Sequence, residues 1–304
     1  MKHFVSVDQL KHSDIFSIFD RAKNFKVNGL NRKYDGDWVL MFLEPSTRTR
    51  MSFEKALKGL GFNVYMFNPE GSSLKKGETL KDTVITLKAQ GFEGVVIRTS
   101  ENGIFQNLED LDIYLINAGD GTNEHPTQAL IDAYTLWELY GDIQGMKILY
   151  VGDIAFSRVF RSGYKLFKKL GCEIGVCAPR SLKPTDIETF EVSDFSDLDS
   201  ALEWCDIAIF LRIQKERQEK PLITSERDYL NSFGLTSRRA EYLRKAGKFY
   251  MHPGPVNRDV EIAGSEIYGA NSLIINQITN GVFIRAAVVD FLKEEGKRKL
   301  VIER

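Results

Sequence analysis

The run Trp38-Val39-Leu40-Met41-Phe42-Leu43 leads into Glu44-Pro45-Ser46-Thr47-Arg48-Thr49-Arg50, and Met51–Leu60 continues in a helical pattern. An apolar run, a proline-containing turn and a helix start predict a strand, a tight turn and a helix, the opening of an α/β unit. The turn is dense in hydroxyls and guanidinium groups. A helix N-terminus presents unpaired backbone N–H groups and the positive end of the helix dipole; Ser and Thr add donors, and Arg adds charge with a bidentate fork. The local reading is a cradle for a phosphate dianion. Taken alone, the same residues also fit Ser46 as a plain helix cap with Arg48 and Arg50 in solvent.

Outward from this stretch, short β-branched runs alternate with helix-period segments twice over. Trp38–Leu43, Asn63–Phe67, Gly94–Arg98 and Ile113–Asn117 form a first set of strands; Lys147–Val151, Glu173–Ala178, Ile207–Leu211 and Phe249–Met251 form a second. The pattern predicts two parallel-sheet α/β domains. Thr127–Tyr140 reads as a long helix linking the halves, and Asn280–Glu295 as a further helix. The polar stretch Gln214–Lys220 is a candidate mobile loop.

In open α/β sheets ligands bind at the carboxyl ends of the strands. Here those ends carry Ser46–Arg50, Arg98, Asn117–Gly121 with His125-Pro126-Thr127-Gln128, Asp153 with Arg158, Arg212 with Gln214, and His252-Pro253-Gly254-Pro255. Any one arginine is ordinarily a surface charge. Arg48, Arg98, Arg158 and Arg212 all at strand exits point to several anionic groups bound in a cleft between domains.

The chain of 304 residues is long enough for two packed cores, and its 41 basic against 42 acidic residues argue against nucleic acid or a membrane surface as partner. No apolar run approaches a membrane span, and the start lacks a signal-peptide core, so a cytoplasmic location is expected. Cys172, Cys177 and Cys205 lack metal-finger spacing, so neither a disulfide framework nor a metal site is expected. Gly71–Thr79 lacks Walker A spacing, and Val151-Gly152-Asp153 is not followed by dinucleotide-binding glycines. No Gly-x-Ser-x-Gly elbow is present, so no covalent nucleophile is indicated.

Ser46–Arg50, Lys76-Gly77-Glu78-Thr79, Asn117–Gly121 with His125–Gln128, Val151–Asp153 with Ser157-Arg158, Arg212–Arg217 and His252–Arg258 occur in the order found in catalytic chains of the aspartate carbamoyltransferase family, which this sequence resembles from about residue 40 to Arg285. The resemblance implies carbamoyl transfer from carbamoyl phosphate to L-aspartate, without a cofactor or metal. It implies a carbamoyl phosphate-binding domain of residues 1–126 plus 277–304, to which the C-terminal helix returns, and an aspartate-binding domain of residues 127–276.

By the same resemblance, Ser46, Thr47, Arg48, Thr49 and Arg98 hold the phosphate, and Arg48, Thr49 and His125 polarise the carbamoyl oxygen. Gln128 and the carbonyls near Pro253 and Gly254 orient the carbamoyl NH2, while Arg158, Arg212 and Gln214 grip the aspartate carboxylates. Ser72 and Lys76 are implied to enter the neighbouring subunit's site, where Lys76 meets both substrates, which implies a homotrimer. The doubled Ser72-Ser73 leaves that alignment open by one residue, and Ser72 is chosen. Gly254 departs from the family, which often carries a larger residue there. Regulatory chains and dihydroorotase are partners between which the sequence does not choose. Ornithine carbamoyltransferase is the nearest alternative, but it typically has Cys where this chain has Thr127 and lacks the Arg212-x-Gln214 pair. A non-catalytic anion-binding module is the alternative from another class.

Overall fold

A computed structural model describes residues 2–31, 34–214, 223 and 225–302. Of the polar stretch Gln214–Lys220 and the motif Arg212–Arg217, the residues from Lys215 onward lie outside the described residues. The chain divides into two compact units, Met1–Ile131 with Thr279–Arg304 and Asp132–Ile278. Both passages between the units lie inside helices, α4 (Pro126–Tyr140) and α9 (Ile274–Ile302).

The first unit is built on β1 (His3–Phe4), β2 (Asp37–Phe42), β3 (Asn63–Met66), β4 (Gly94–Thr99) and β5 (Tyr114–Asp120), in the order β1-β5-β4-β2-β3. All its pairings are parallel. Central strands of such a sheet are covered on both faces, which is why they read as unbroken apolar runs. Val39 and Met41 of β2 join Val95 and Ile97 of β4 in one core cluster, and the alternate residues Trp38, Leu40 and Val96 are also buried. Helices α1 (His12–Asn28), α2 (Thr47–Leu60) and α3 (Leu80–Ala89) belong to this unit. In α2, Thr49, Phe53, Ala56, Leu57 and Leu60 make the buried stripe, and Gly61, at φ 102°, ends the helix in the left-handed conformation. The C-terminal helix returns to this unit. Arg285 Nη1 donates to Ser52 Oγ at 2.6 Å, Asp290 pairs with Arg21, and Lys293 Nζ lies 2.8 Å from Glu93.

The second unit repeats the logic with β6 (Lys147–Val151), β7 (Glu173–Cys177), β8 (Ser193–Phe195), β9 (Ile207–Phe210) and β10 (Phe249–Met251), ordered β10-β9-β6-β7-β8 and again parallel. Helices α5 (Arg158–Lys169), α6 (Leu198–Trp204), α7 (Glu226–Phe233) and α8 (Ser237–Lys245) complete it. Leu149, Val151, Leu202, Phe210, Leu243 and Tyr250 lie in its core. Cys172, Cys177 and Cys205 are buried and unbridged, and burial pushes each thiol up to about 12. No helix among the described residues is long and apolar enough to cross a membrane.

Two strands lack a counterpart in the sequence pattern. β1 is two residues long and β8 is Ser193-Asp194-Phe195, so neither carries the apolar run that marks a central strand; both lie at sheet edges. The helix α2 begins at Thr47, so the hydroxyl and guanidinium residues are its first turn rather than a turn ahead of it.

Gly94 opens β4 directly against Trp38. A Cβ there would meet three indole carbons at 2.6 Å, and Trp38 is fully buried. Gly94→Ala is expected to cost about 1–3 kcal/mol, as overpacked cores do. Equilibrium urea unfolding reads this directly; an unchanged midpoint would mean the indole shifts freely.

Candidate active site

In the first unit, the exits of β2, β4 and β5 are joined by one guanidinium. Arg98 follows Ile97 in β4, where the register against β5 shifts between Ile97 and Thr99. Its Nε donates to Glu44 Oε1 at 2.7 Å, and its Nη1 reaches Thr49 Oγ1 and the Ala118 carbonyl, each at 3.4 Å. Glu44 follows β2, Thr49 lies in the first turn of α2, and Ala118 belongs to β5. Ser46 occupies the N-cap position with extended backbone, yet its side chain makes no capping hydrogen bond. The plain-cap reading of Ser46 therefore fails for the hydroxyl. No acidic residue lies in that first turn, Thr47, Arg48 and Arg50 are exposed, and Thr49 is buried. An N-terminus with this field and these donors suits a dianion.

His125 and Gln128 stand at the start of α4 and are both buried. The His125 carbonyl accepts from the Gln128 and Ala129 amides at 3.0 and 3.3 Å, so His125 takes the capping position ahead of Pro126. The chain entering it is fixed from below: Asp120 Oδ1 accepts from the Glu124 amide at 3.1 Å and from Asn117 Nδ2 at 2.8 Å. Ser72 lies elsewhere, between two short 3-10 turns, and Lys76 ends the second of them. Ser72 Oγ donates to the Pro69 carbonyl at 2.8 Å, Lys75 pairs with Glu70, and Lys76 is exposed.

In the second unit, Arg158 opens α5 and is buried, with Ser157 capping the helix through the Phe160 amide. Arg212 Nη1 donates to Gln214 Oε1 at 3.3 Å. Asp153, wholly buried, accepts from the Phe156 amide at 3.1 Å and the Gln214 amide at 3.0 Å, joining the exits of β6 and β9. Gly254 has φ 70°, and its amide donates to His252 Nδ1 at 2.8 Å. The His252 amide in turn donates to Gln277 Oε1 at 3.1 Å.

Two family models match the chain. The aspartate/ornithine carbamoyltransferase carbamoyl-P binding domain covers residues 2–138, and the aspartate/ornithine carbamoyltransferase Asp/Orn binding domain covers residues 144–292. The chain belongs to the aspartate/ornithine carbamoyltransferase family. The first model contains Ser46–Thr49, Arg98, His125 and Gln128; the second contains Arg158, Arg212, Gln214, Pro253 and Gly254. An aspartate carbamoyltransferase catalytic subunit from Aquifex aeolicus is 44% identical over 296 residues, 96% of this chain and 99% of that protein. The one from Listeria welshimeri is 42% identical, with 99% of each covered. Among solved structures, the catalytic subunit of M. jannaschii aspartate transcarbamoylase has a TM-score of 0.81 at 30% identity, covering 98% of this chain and 99% of that one. The Trypanosoma cruzi enzyme in complex with N-(phosphonacetyl)-L-aspartic acid has a TM-score of 0.82 at 29% identity, covering 95% and 94%.

Sequence reasoning about this family member missed Glu261. It is 1% exposed, yet its carboxylate accepts from the Ile213 amide at 2.9 Å and from the Asn257 amide and Nδ2, each at 2.7 Å. A lone acid within Val260-Glu261-Ile262-Ala263 was the available signal, because carboxylates in apolar runs are buried only when paired. Burial pushes its carboxyl up from 4.5 to about 7, against the three N–H donors that favour the ionised form. His252 Nε2 lies 3.8 Å from Glu261 Oε2, and the buried Tyr229 is held well above its ordinary value by burial and by the Glu261 and Asp153 charges.

This raised value fixes a sign. The folded chain keeps the Glu261 proton to about pH 7, whereas the unfolded chain releases it near 4.5. The associated stability is present in full below pH 4.5 and lost as pH rises through about 7, by up to about 3 kcal/mol. Urea unfolding of the wild type and Glu261→Gln across this window should show their difference shrinking toward high pH; Tyr229, held well above its ordinary value, does not titrate there. A difference that does not vary with pH would contradict the shift.

Proposed function

We propose that this chain is an aspartate carbamoyltransferase catalytic chain: it transfers the carbamoyl group of carbamoyl phosphate to the amine of L-aspartate, giving N-carbamoyl-L-aspartate and phosphate, an early step of de novo pyrimidine biosynthesis in the cytoplasm. The observation that carries the reading is the acid-free first turn of α2 with Arg98 bonded to Thr49, an anion cradle within the part matched by the carbamoyl-P binding model. The relatives and solved structures named above support aspartate as the acceptor.

Ser46, Thr47, Arg48, Thr49 and Arg98 bind the phosphate; Arg48, Thr49 and His125 polarise the carbamoyl oxygen and stabilise the tetrahedral oxyanion. Gln128 and the carbonyls near Pro253 and Gly254 orient the NH2 group. Arg158, Arg212 and Gln214 take the two aspartate carboxylates. The neutral amine attacks the carbamoyl carbon, the carbon–oxygen bond to phosphate breaks, and the departing phosphate carries off the electron pair and the amine proton. Orientation and charge do the catalysis, so no side chain acts as general base. Ser72 and Lys76 complete a neighbouring subunit's site in a homotrimer, Lys76 reaching both substrates; the exposure of Lys76 supports this.

Turnover of labelled carbamoyl phosphate with aspartate is the test. Turnover with ornithine and not aspartate would overturn the substrate, and tight binding of a bisubstrate analogue without any turnover would leave an anion-binding module. Arg48→Ala should lower kcat on the order of 10²-fold through loss of oxyanion stabilisation. Mixed with Lys76→Ala chains, it should recover part of that activity, since some sites then draw intact residues from both chains. No recovery in verified hybrids would refute shared sites.

A further inference from the structure

Beyond the end of β9, the sheet no longer holds the chain. The Leu211 amide still donates to the Val151 carbonyl at 2.8 Å, but the Ile213 and Gln214 amides are taken by carboxylates, Ile213 by Glu261 at 2.9 Å and Gln214 by Asp153 at 3.0 Å. Asn257 Nδ2 also reaches the Ile213 carbonyl at 3.4 Å, so both polar groups of the Ile213 residue are held from the segment after His252. Ile213 is wholly buried, and Arg212 and Gln214 lie on either side of it in sequence, joined by their own hydrogen bond. In extended chain, residues two apart share a face, so fixing Ile213 inward aims Arg212 and Gln214 together.

We propose that Glu261 is a positioning residue for the dicarboxylate substrate: by holding Ile213 and Asn257 it sets the direction of the Arg212–Gln214 pair that receives aspartate. The inference rests on the reading of Arg212 and Gln214 as aspartate ligands. The carboxyl is needed because three N–H donors converge on its two oxygens, each of which keeps a lone pair to accept whether or not the proton is bound. In Glu261→Gln one oxygen becomes an NH2 group that cannot accept, so at least one of the three bonds is lost.

The experiment measures, for wild type, Glu261→Gln and Asn257→Ala, the KM for aspartate, inhibition by succinate as an unreactive dicarboxylate, and the dissociation constant of inorganic phosphate. Glu261→Gln should raise the aspartate KM and the succinate inhibition constant together by about tenfold, while phosphate affinity stays within about twofold. Asn257→Ala, which keeps both backbone bonds to Glu261, should show the same split at about threefold and decides the matter if Glu261→Gln does not fold. Unchanged dicarboxylate constants in folded variants would overturn the proposal, as would a parallel loss of phosphate affinity, which marks a merely structural role. A wild type that turns over no aspartate overturns the functional reading itself, and is seen before any variant is compared.

Discussion

The ion pair between Arg98 and Glu44 is the constraint around which the first unit's strand exits are arranged. A guanidinium carries five donors in a rigid plane, and a half-buried one needs acceptors. Glu44 supplies the short bond at 2.7 Å, which fixes the plane; the longer bonds to Thr49 and Ala118 then tie the first turn of α2 to the exit of β5. Substituting Glu44 would therefore affect more than charge. The helix start and the end of β5 converge because one side chain at a sheet irregularity reaches both.

The second unit solves the same problem with the charges reversed. There the connecting groups are buried carboxylates, Asp153 and Glu261, and among the groups they hold are backbone amides of the segment carrying Arg212 and Gln214. A buried carboxylate is costly unless its lone pairs are met, so an acid placed among amides that have left the sheet both gains partners and fixes them. The raised value of Glu261 records the residual cost of burial.

The difference explains what the sequence disclosed. Lys147–Val151 and Phe249–Met251 are legible to the residue because buried parallel strands are short apolar runs, and Trp38–Leu43 is displaced by only one position from β2. β1 and β8 are not legible, since a two-residue edge strand and Ser193-Asp194-Phe195 have no such run. Among site residues, Ser46–Thr49 and Arg98 could be located because position at a strand exit and residue chemistry are both local. Glu261 shows locally only as an acid in an apolar run, and what it holds is an amide 48 residues away. Nor does one sequence disclose that Ser46 is at the cap without capping, which depends on side-chain geometry.

The chemistry and the architecture fit one another at this point. Transfer from an acyl phosphate to an amine asks for little proton traffic, because the leaving phosphate can accept the proton. The remaining demand is that cations and neutral donors hold fixed directions while charge shifts from carbonyl to oxyanion to phosphate. Directions of that kind are set by whatever holds the backbone, not by the ligand-contacting side chains alone. A fold that ends its strands in arginines must therefore also supply acceptors behind them, and Glu44, Asp153 and Glu261 are those acceptors in the two units.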